Sequence, residues 1–277
     1  MSSLTLTKLF DVKGKVVVIT GGGRGIGKMM ADGFVQNGAT VYIASRSLAA
    51  CEATAKELNA KGPGKCIPAL AEAIAQKESR VDVLINNSGV SANTGRHSRE
   101  LLIVVVLLFA LPAWNKVLTV NVTSPFHLTH FLLPLLDAAA TSSDAARVIN
   151  IGSVAGLRPQ QIDTIAYDTS KAAIHHMTRV LAAKLARRPN GGHILVNAIA
   201  PGLVPSKMSK GISVVTGLAM EDLATGIPIE RYGNDSDMAG LAIFLSSKAS
   251  GWITGMIIAS DGGQVYTMET GVGAAKL

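Results

Sequence analysis

Residues 15–27 read KVVVITGGGRGIG, and this stretch decides the fold. Lys15 to Thr20 is a short, β-branched apolar run, the composition of a strand covered on both faces. It gives way at once to Gly21-Gly22-Gly23-Arg24-Gly25-Ile26-Gly27, and a helical pattern follows over 25–37. Glycines at such a junction let backbone N–H groups approach a pyrophosphate, while the helix N-terminus adds partial positive charge. The bland alternative is a tight turn that binds nothing.

Outward from this junction the pattern repeats. Apolar runs occur at ATVYIA (39–44), VDVLIN (81–86), ARVINI (146–151), HILVNAIA (193–200) and GMIIAS (255–260). Helical patterns cover 47–60, 69–79, 113–137, 165–188 and 235–246. Strand and helix alternate without a Pro/Gly/Ser linker or an internal repeat. This predicts a single domain over 1–277, an α/β fold with one Rossmann-type, doubly wound parallel sheet and helices on both faces.

Composition agrees and removes other classes. The 277 residues are 48% apolar, enough for a large core and too apolar for a disordered chain. No stretch reaches the roughly 18 apolar residues of a membrane span, and MSSLTLTKLFDVKGK lacks the apolar centre of a signal peptide, so a soluble, intracellular protein is expected. Cys51 and Cys66 lie outside any CxxC or Cys/His cluster, which predicts buried thiols and no metal site. A formal charge of +7 favours anionic partners, but scattered basic residues and 4% aromatics argue against nucleic acid.

After the second apolar run, an NAD-binding fold would place an acidic residue for the ribose 2'-hydroxyl. Here the chain reads Ser45-Arg46-Ser47. An arginine at this point pairs with a 2'-phosphate, so NADP(H) is the expected cofactor, with Arg24 as a second contact. Solvation of Arg46 is the alternative. Tyr167 and Lys171 fall four apart in YDTSKAAIHHMTRVLAAKLA and share one helix face. An ammonium beside a phenol favours the phenolate, the condition for a usable acid near neutral pH.

Ser153 follows the run in INIGSVAG, and Asn121 lies in the polar break of VLTVNVTSP. With the TGGGRGIG loop, Asn86-Asn87-Ser88-Gly89, Tyr167 with Lys171, Asn197 to Gly202, and Asp261-Gly262-Gly263, the chain resembles the short-chain dehydrogenase/reductase family along nearly its whole length. ARVINIGSVAG, NAIAPGLVPSKM and GIPIERYG are most similar to its 3-oxoacyl-acyl-carrier-protein reductases.

The resemblance implies that Tyr167 donates a proton to the substrate oxygen and that Lys171 lowers its pKa and binds the nicotinamide ribose. Ser153 would hold the carbonyl and Asn121 would order a water relay, with capping as their structural alternative. Cofactor contacts would come from Gly21, Gly23, Arg24, Gly25, Ile26, Gly27, Ser45, Arg46, Asn87, Gly89, Tyr167, Lys171, Pro201, Gly202, Val204 and Ser206. The implied activity is interconversion of a ketone and a secondary alcohol, with 3-oxoacyl thioesters as leading substrates. A cyclic or polyketide ketone, or a catalytically weak nucleotide-binding protein, are the alternatives. Family habit implies a homodimer or homotetramer.

Four histidines, His127, His130, His175 and His176, have no partnering carboxylates and are expected to be packed or solvated. Arg187-Arg188 is expected to compensate a helix dipole. Two stretches depart from the family. Only Ala69 to Arg80 remains for the crossover before VDVLIN, close to the shortest helical link. Ser91 to Arg99 is unlike the family, and Leu101 to Leu111 is eleven consecutive apolar residues, too short to span a membrane: a buried segment, an interfacial anchor, a subunit contact, or the product of a faulty gene model such as a retained intron. The chain ends Ala275-Lys276-Leu277, which resembles a peroxisomal address and leaves cytoplasm and peroxisome both open.

Overall fold

The protein is described by a computed structural model over residues 4–91, 111–160, 164–209, 211, 217 and 219–266. Ser91 is the last described residue before Leu111, so nearly all of the divergent stretch, and the Ala275-Lys276-Leu277 terminus, lie outside the described residues.

Seven strands form one parallel sheet: β1 Val16–Thr20, β2 Thr40–Ala44, β3 Lys65–Pro68, β4 Val83–Asn86, β5 Ala146–Ile151, β6 Ile194–Pro201 and β7 Ile257–Ser260. Their order is β3-β2-β1-β4-β5-β6-β7. Val17 pairs with Val41 on one side and Val83 on the other. The chain therefore winds outward from β1, returns to β1's other edge at β4, and winds outward again. Loops leaving β1 and β4 diverge at that point and open a crevice at the carboxyl end of the sheet.

Both sheet faces are covered, which explains why most strand residues are apolar. Every residue of β5 and β6 is buried. On one face the Gly25–Gln36 and Asp235–Ser246 helices pack Met30, Phe34, Met238 and Leu245 into the core. They approach closely because Gly33 faces Ala239, where an added Cβ would lie 2.6 Å from the alanine methyl. On the other face, Leu132, Leu136 and Leu185 cover Val18, Leu84 and Val148. Local signals set the helix ends. Asn234 and Asp237 form a reciprocal capping box, and Ser47 accepts the Ala50 N–H at the start of Leu48–Leu58.

The single helix expected over 113–137 is corrected. Its described part runs over Leu111–Leu118, passes through a π-helical segment at Thr119–Thr123, continues as Ser124–Phe131, and restarts as Leu133–Ala139. Pro125 and Pro134 lack the N–H that would bond the preceding turn, so regular hydrogen bonding fails near each. Across the short link after β3, Ala71–Lys77 forms a seven-residue helix and buries Ile74 against the sheet. Cys51 and Cys66 are free, buried thiols as expected. Among the described residues no helix is long and apolar enough to cross a membrane.

Candidate active site

The glycine junction is a backbone cradle stitched to the loop after β4. Gly21 and Gly25 have positive φ values of 70° and 53°, a region open to glycine. A Cβ on Gly27 would lie 2.5 Å from both the Gly21 carbonyl oxygen and Asn87 Nδ2. Thr20 Oγ1 accepts from the N–H groups of Asn87 (3.0 Å) and Ser88 (2.9 Å), and Asn87 Nδ2 donates to the Thr20 carbonyl at 2.8 Å. The Gly25–Gln36 helix, with Ile26 in its first turn, starts beside this stitch with its free N–H groups at the crevice. Gly23 backs onto Cys51, and a Cβ on Gly25 would meet Ser206 at 3.5 Å, so the loop after β6 reaches over the glycines.

Beside the cradle, Ser45 turns inward. Its hydroxyl donates to the Ser47 carbonyl at 3.0 Å and accepts from Cys51 Sγ at 3.2 Å. Arg46 and Arg24 are both exposed, and neither forms an ion pair with a described residue. A glycine cradle, a helix N-terminus and two uncommitted guanidinium groups suit a dinucleotide bearing a 2'-phosphate. On the flank of this helix is a cleft of about 490 Å³, but Ser153, Tyr167 and Lys171 do not line it. Two of its three lysines are tied up: Lys28 pairs with Glu57 at 2.6 Å and Lys61 with Asp32 at 2.7 Å.

Deeper along the crevice, Asn121 occupies the π-helical segment. Its Oδ1 accepts the Val90 N–H, and its Nδ2 donates to the Val90 carbonyl and to Ser170 Oγ, each at 2.9 Å. Asn121 therefore fixes the loop after Gly89 and caps no helix. A Cβ on Gly89 would lie 3.5 Å from Asn121 Oδ1 and 3.6 Å from Lys171 Nζ, which places all three at one spot. Ser153 does serve as a cap: its Oγ accepts the Ala155 N–H at 3.1 Å, at the head of the 3-10 turn Val154–Gly156.

Tyr167 and Lys171 project from the first turns of Ile165–Leu185, Nζ lying 5.5 Å from the phenol ring centre. The expected lowering of the phenol's pKa is corrected. Burial raises it, outweighing the opposing hydrogen bond with Ser153, and nearby Asp168 raises it further. Lys171 is itself buried and donates to the Ile151 carbonyl at 2.8 Å; burial lowers its pKa to about 8. Desolvation thus favours the neutral form of both groups.

Pro201 ends β6, and the chain just beyond it packs on the turn after β7. Gly202 lies against Asp261, where a Cβ would come 2.7 Å from the aspartate Cβ. Asp261 in turn accepts from the Gly263 and Val265 N–H groups. Val204 is buried, and Ser206 and Ser209 exchange backbone-to-hydroxyl bonds.

The short chain dehydrogenase family model matches residues 15–214. The chain belongs to the short-chain dehydrogenase/reductase family. It is 40% identical over 264 residues to the rhamnolipids biosynthesis 3-oxoacyl-[acyl-carrier-protein] reductase of Pseudomonas aeruginosa, covering 92% of this chain and 97% of that one. It is 33% identical over 269 residues to the 3-oxoacyl-[acyl-carrier-protein] reductase of Thermotoga maritima, covering 92% of this chain and 99% of that one. Among solved structures, a Pseudomonas aeruginosa RhlG/NADP active-site complex superposes with a TM-score of 0.80 at 40% identity, over 93% of this chain and 98% of that one. The protein is therefore an oxidoreductase.

In this short-chain dehydrogenase/reductase, several residues around the site carried no signal of their own in the sequence. Thr20, Val90, Ser170 and Ile151 act through backbone groups or short hydroxyls that anchor the more conspicuous residues. Beneath the crevice a buried polar chain runs from Thr129 through Asn86 and Asn150 to Thr178. Single asparagines at or near the ends of two apolar runs, Asn86 and Asn150, were its one visible trace. Of the four histidines, three are exposed and His175 is buried. Arg188 forms a two-point pair with Asp137 rather than acting on a helix dipole alone.

Proposed function

We propose that this protein interconverts a ketone and a secondary alcohol with NADP(H), and that 3-oxoacyl thioesters are its leading substrate class. The observation that carries the reading is the convergence of Ser153, Tyr167 and Lys171 at the carboxyl end of the sheet, in the same crevice as the glycine cradle. The thioester preference rests on the two reductase relatives.

The reduced nicotinamide, when bound, supplies the hydride that reaches the carbonyl carbon. The chain's residues manage everything else. Gly21, Gly23, Gly25, Ile26 and Gly27 receive the pyrophosphate, Ser45, Arg46 and Arg24 the adenosine phosphate, and Asn87 and Gly89 the adjoining ribose. Pro201, Gly202, Val204 and Ser206 border the nicotinamide. Ser153 donates to the substrate oxygen, and Tyr167 delivers the proton that turns it into a hydroxyl. Lys171 holds a ribose hydroxyl and resupplies Tyr167, with Asn121 at the inner end of the relay. Because burial holds the phenol protonated, the ground state is already set for reduction.

The test is NADPH oxidation with a 3-oxoacyl thioester beside a cyclic ketone. Tyr167→Phe is expected to lower turnover by at least about 100-fold, the weight of a general acid, while NADPH affinity stays within about twofold. Turnover of the phenylalanine variant above about a hundredth of wild type would overturn the assignment. Tight NADPH binding with no turnover of any ketone would make the chain a nucleotide-binding protein instead.

A further inference from the structure

We infer that His175 is a positioning residue that sets Ser153, by clasping the turn on which Ser153 sits. The inference deepens the reading above and rests on Ser153 holding the substrate oxygen.

His175 lies four residues beyond Lys171 and eight beyond Tyr167, on the same face of Ile165–Leu185. It is 2% exposed. Its Nε2 accepts the Ser153 N–H at 3.4 Å. The ring occupies the space a side chain at 152 would need: a Cβ on Gly152 would stand 2.0 Å from Nε2 and 2.6 Å from Cδ2. At the other end of the turn Gly156 rests on the same helix, where a Cβ would come 2.5 Å from the Lys171 carbonyl carbon. His175 Nδ1 is buried without a hydrogen-bond partner among the described residues, and the Gly156 backbone lies close enough to the imidazole to favour its protonated form. One imidazole thus spans the turn from the Ser153 N–H to Gly156, on the helix that carries Tyr167 and Lys171.

Ser153 Oγ has no long side chain with which to find its place. Its position follows from the turn's backbone, which it caps through Ala155. The acceptor role requires an imidazole unprotonated at Nε2. Burial supplies this, lowering the pKa to about 4, and the charges of Lys171 and Arg179 act in the same direction; only the Gly156 backbone opposes them. A leucine would fill the volume but leave the Ser153 N–H buried without an acceptor.

The experiment compares His175→Leu with His175→Gln, each alone and combined with Ser153→Ala, after thermal melts of each variant. Expected for His175→Leu is a fall in kcat of roughly 10- to 100-fold, the scale of a reacting group misplaced by about 1 Å, with NADPH affinity within about twofold. His175→Gln, which keeps an acceptor near the Nε2 position, is expected to recover most of kcat. In the Ser153→Ala background, His175→Leu is expected to cost no more than about twofold, because the group it positions is gone. Equal losses in both backgrounds, or no recovery by glutamine, would overturn the inference.

Imidazole 15N shifts of the full chain decide the geometry without turnover: an unprotonated Nε2 at neutral pH supports it, and a protonated Nε2 overturns it. If the wild type reduces no ketone, the functional reading fails while this measurement still judges His175. If the leucine variant does not fold, the glutamine cycle and the shifts carry the test.

Discussion

Lys171→Met should make the nucleotide-free protein more stable while destroying its activity. The Lys171 ammonium is buried, and its one described acceptor is the Ile151 carbonyl. Depression of its pKa from 10.5 to about 8 corresponds to about 3 kcal/mol spent on keeping the charged group folded at pH 7. Methionine is of similar length, is uncharged and removes that cost. It also leaves the Ile151 carbonyl unpaired, which costs about 1–2 kcal/mol. The balance favours the variant by about 1–2 kcal/mol, or a rise in Tm of about 2–6 °C for a chain of this size.

The sign with pH is fixed. Below pH 8 the folded and unfolded chains are both protonated at this lysine and the cost is present in full. Between pH 8 and 10.5 the folded form sheds its proton first, so wild-type stability rises by about 3 kcal/mol and the gap between the proteins closes and then reverses. Guanidinium melts of both proteins at pH 7 to 10.5, without nucleotide, measure this directly. A variant less stable than wild type at pH 7, or a gap that does not change with pH, would refute the reasoning.

Three further outcomes are expected. Arg46→Asp should lower the preference for NADPH over NADH by roughly 10- to 100-fold, since a charge-assisted contact becomes a repulsion; an unchanged ratio in parallel titrations would make Arg46 a surface residue. As pH falls from 6.5 to 4, the neutral buried His175 should cost the fold up to about 3 kcal/mol, and denaturant melts should show that slope flattened in His175→Gln. Gly27→Ala should destabilise by about 1–3 kcal/mol and weaken NADPH binding, because its methyl would press on the Gly21 carbonyl and on Asn87; wild-type melting would contradict the close packing.

The sheet was legible because both of its faces are covered. β1, β2 and β4 are short apolar runs, β5 and β6 are apolar but for Arg147, Asn150 and Asn197, and the glycine-rich or polar ends of these strands fall at the crevice. The glycine cradle was equally legible, since only glycine permits the approach that Gly21 and Gly27 make to Asn87. Asn121 was visible as a polar break but not the π turn around it, because a pattern of apolar positions registers helix and does not count hydrogen-bond spacing. Nor could the titration state of Tyr167 be read. A four-residue spacing put Lys171 beside it, but the dominant effect is desolvation, which depends on what else covers the pair. The Ser153 clasp was hidden for the same reason: His175 and Gly152 are far apart along the chain, and nothing local marks them as partners.

The π segment at Thr119–Thr123 also limits how this protein can be altered. Each residue of a helix turns it by about 100°, so deleting one residue there to restore regular hydrogen bonding would rotate the two flanking arms against each other by that angle. Asn121 would swing away from Val90 and Ser170, or Val117 and Thr129 would leave the interior. A smoother helix would therefore be a worse one, and descendants of this chain have more freedom to gain or lose residues in its surface loops than in this turn.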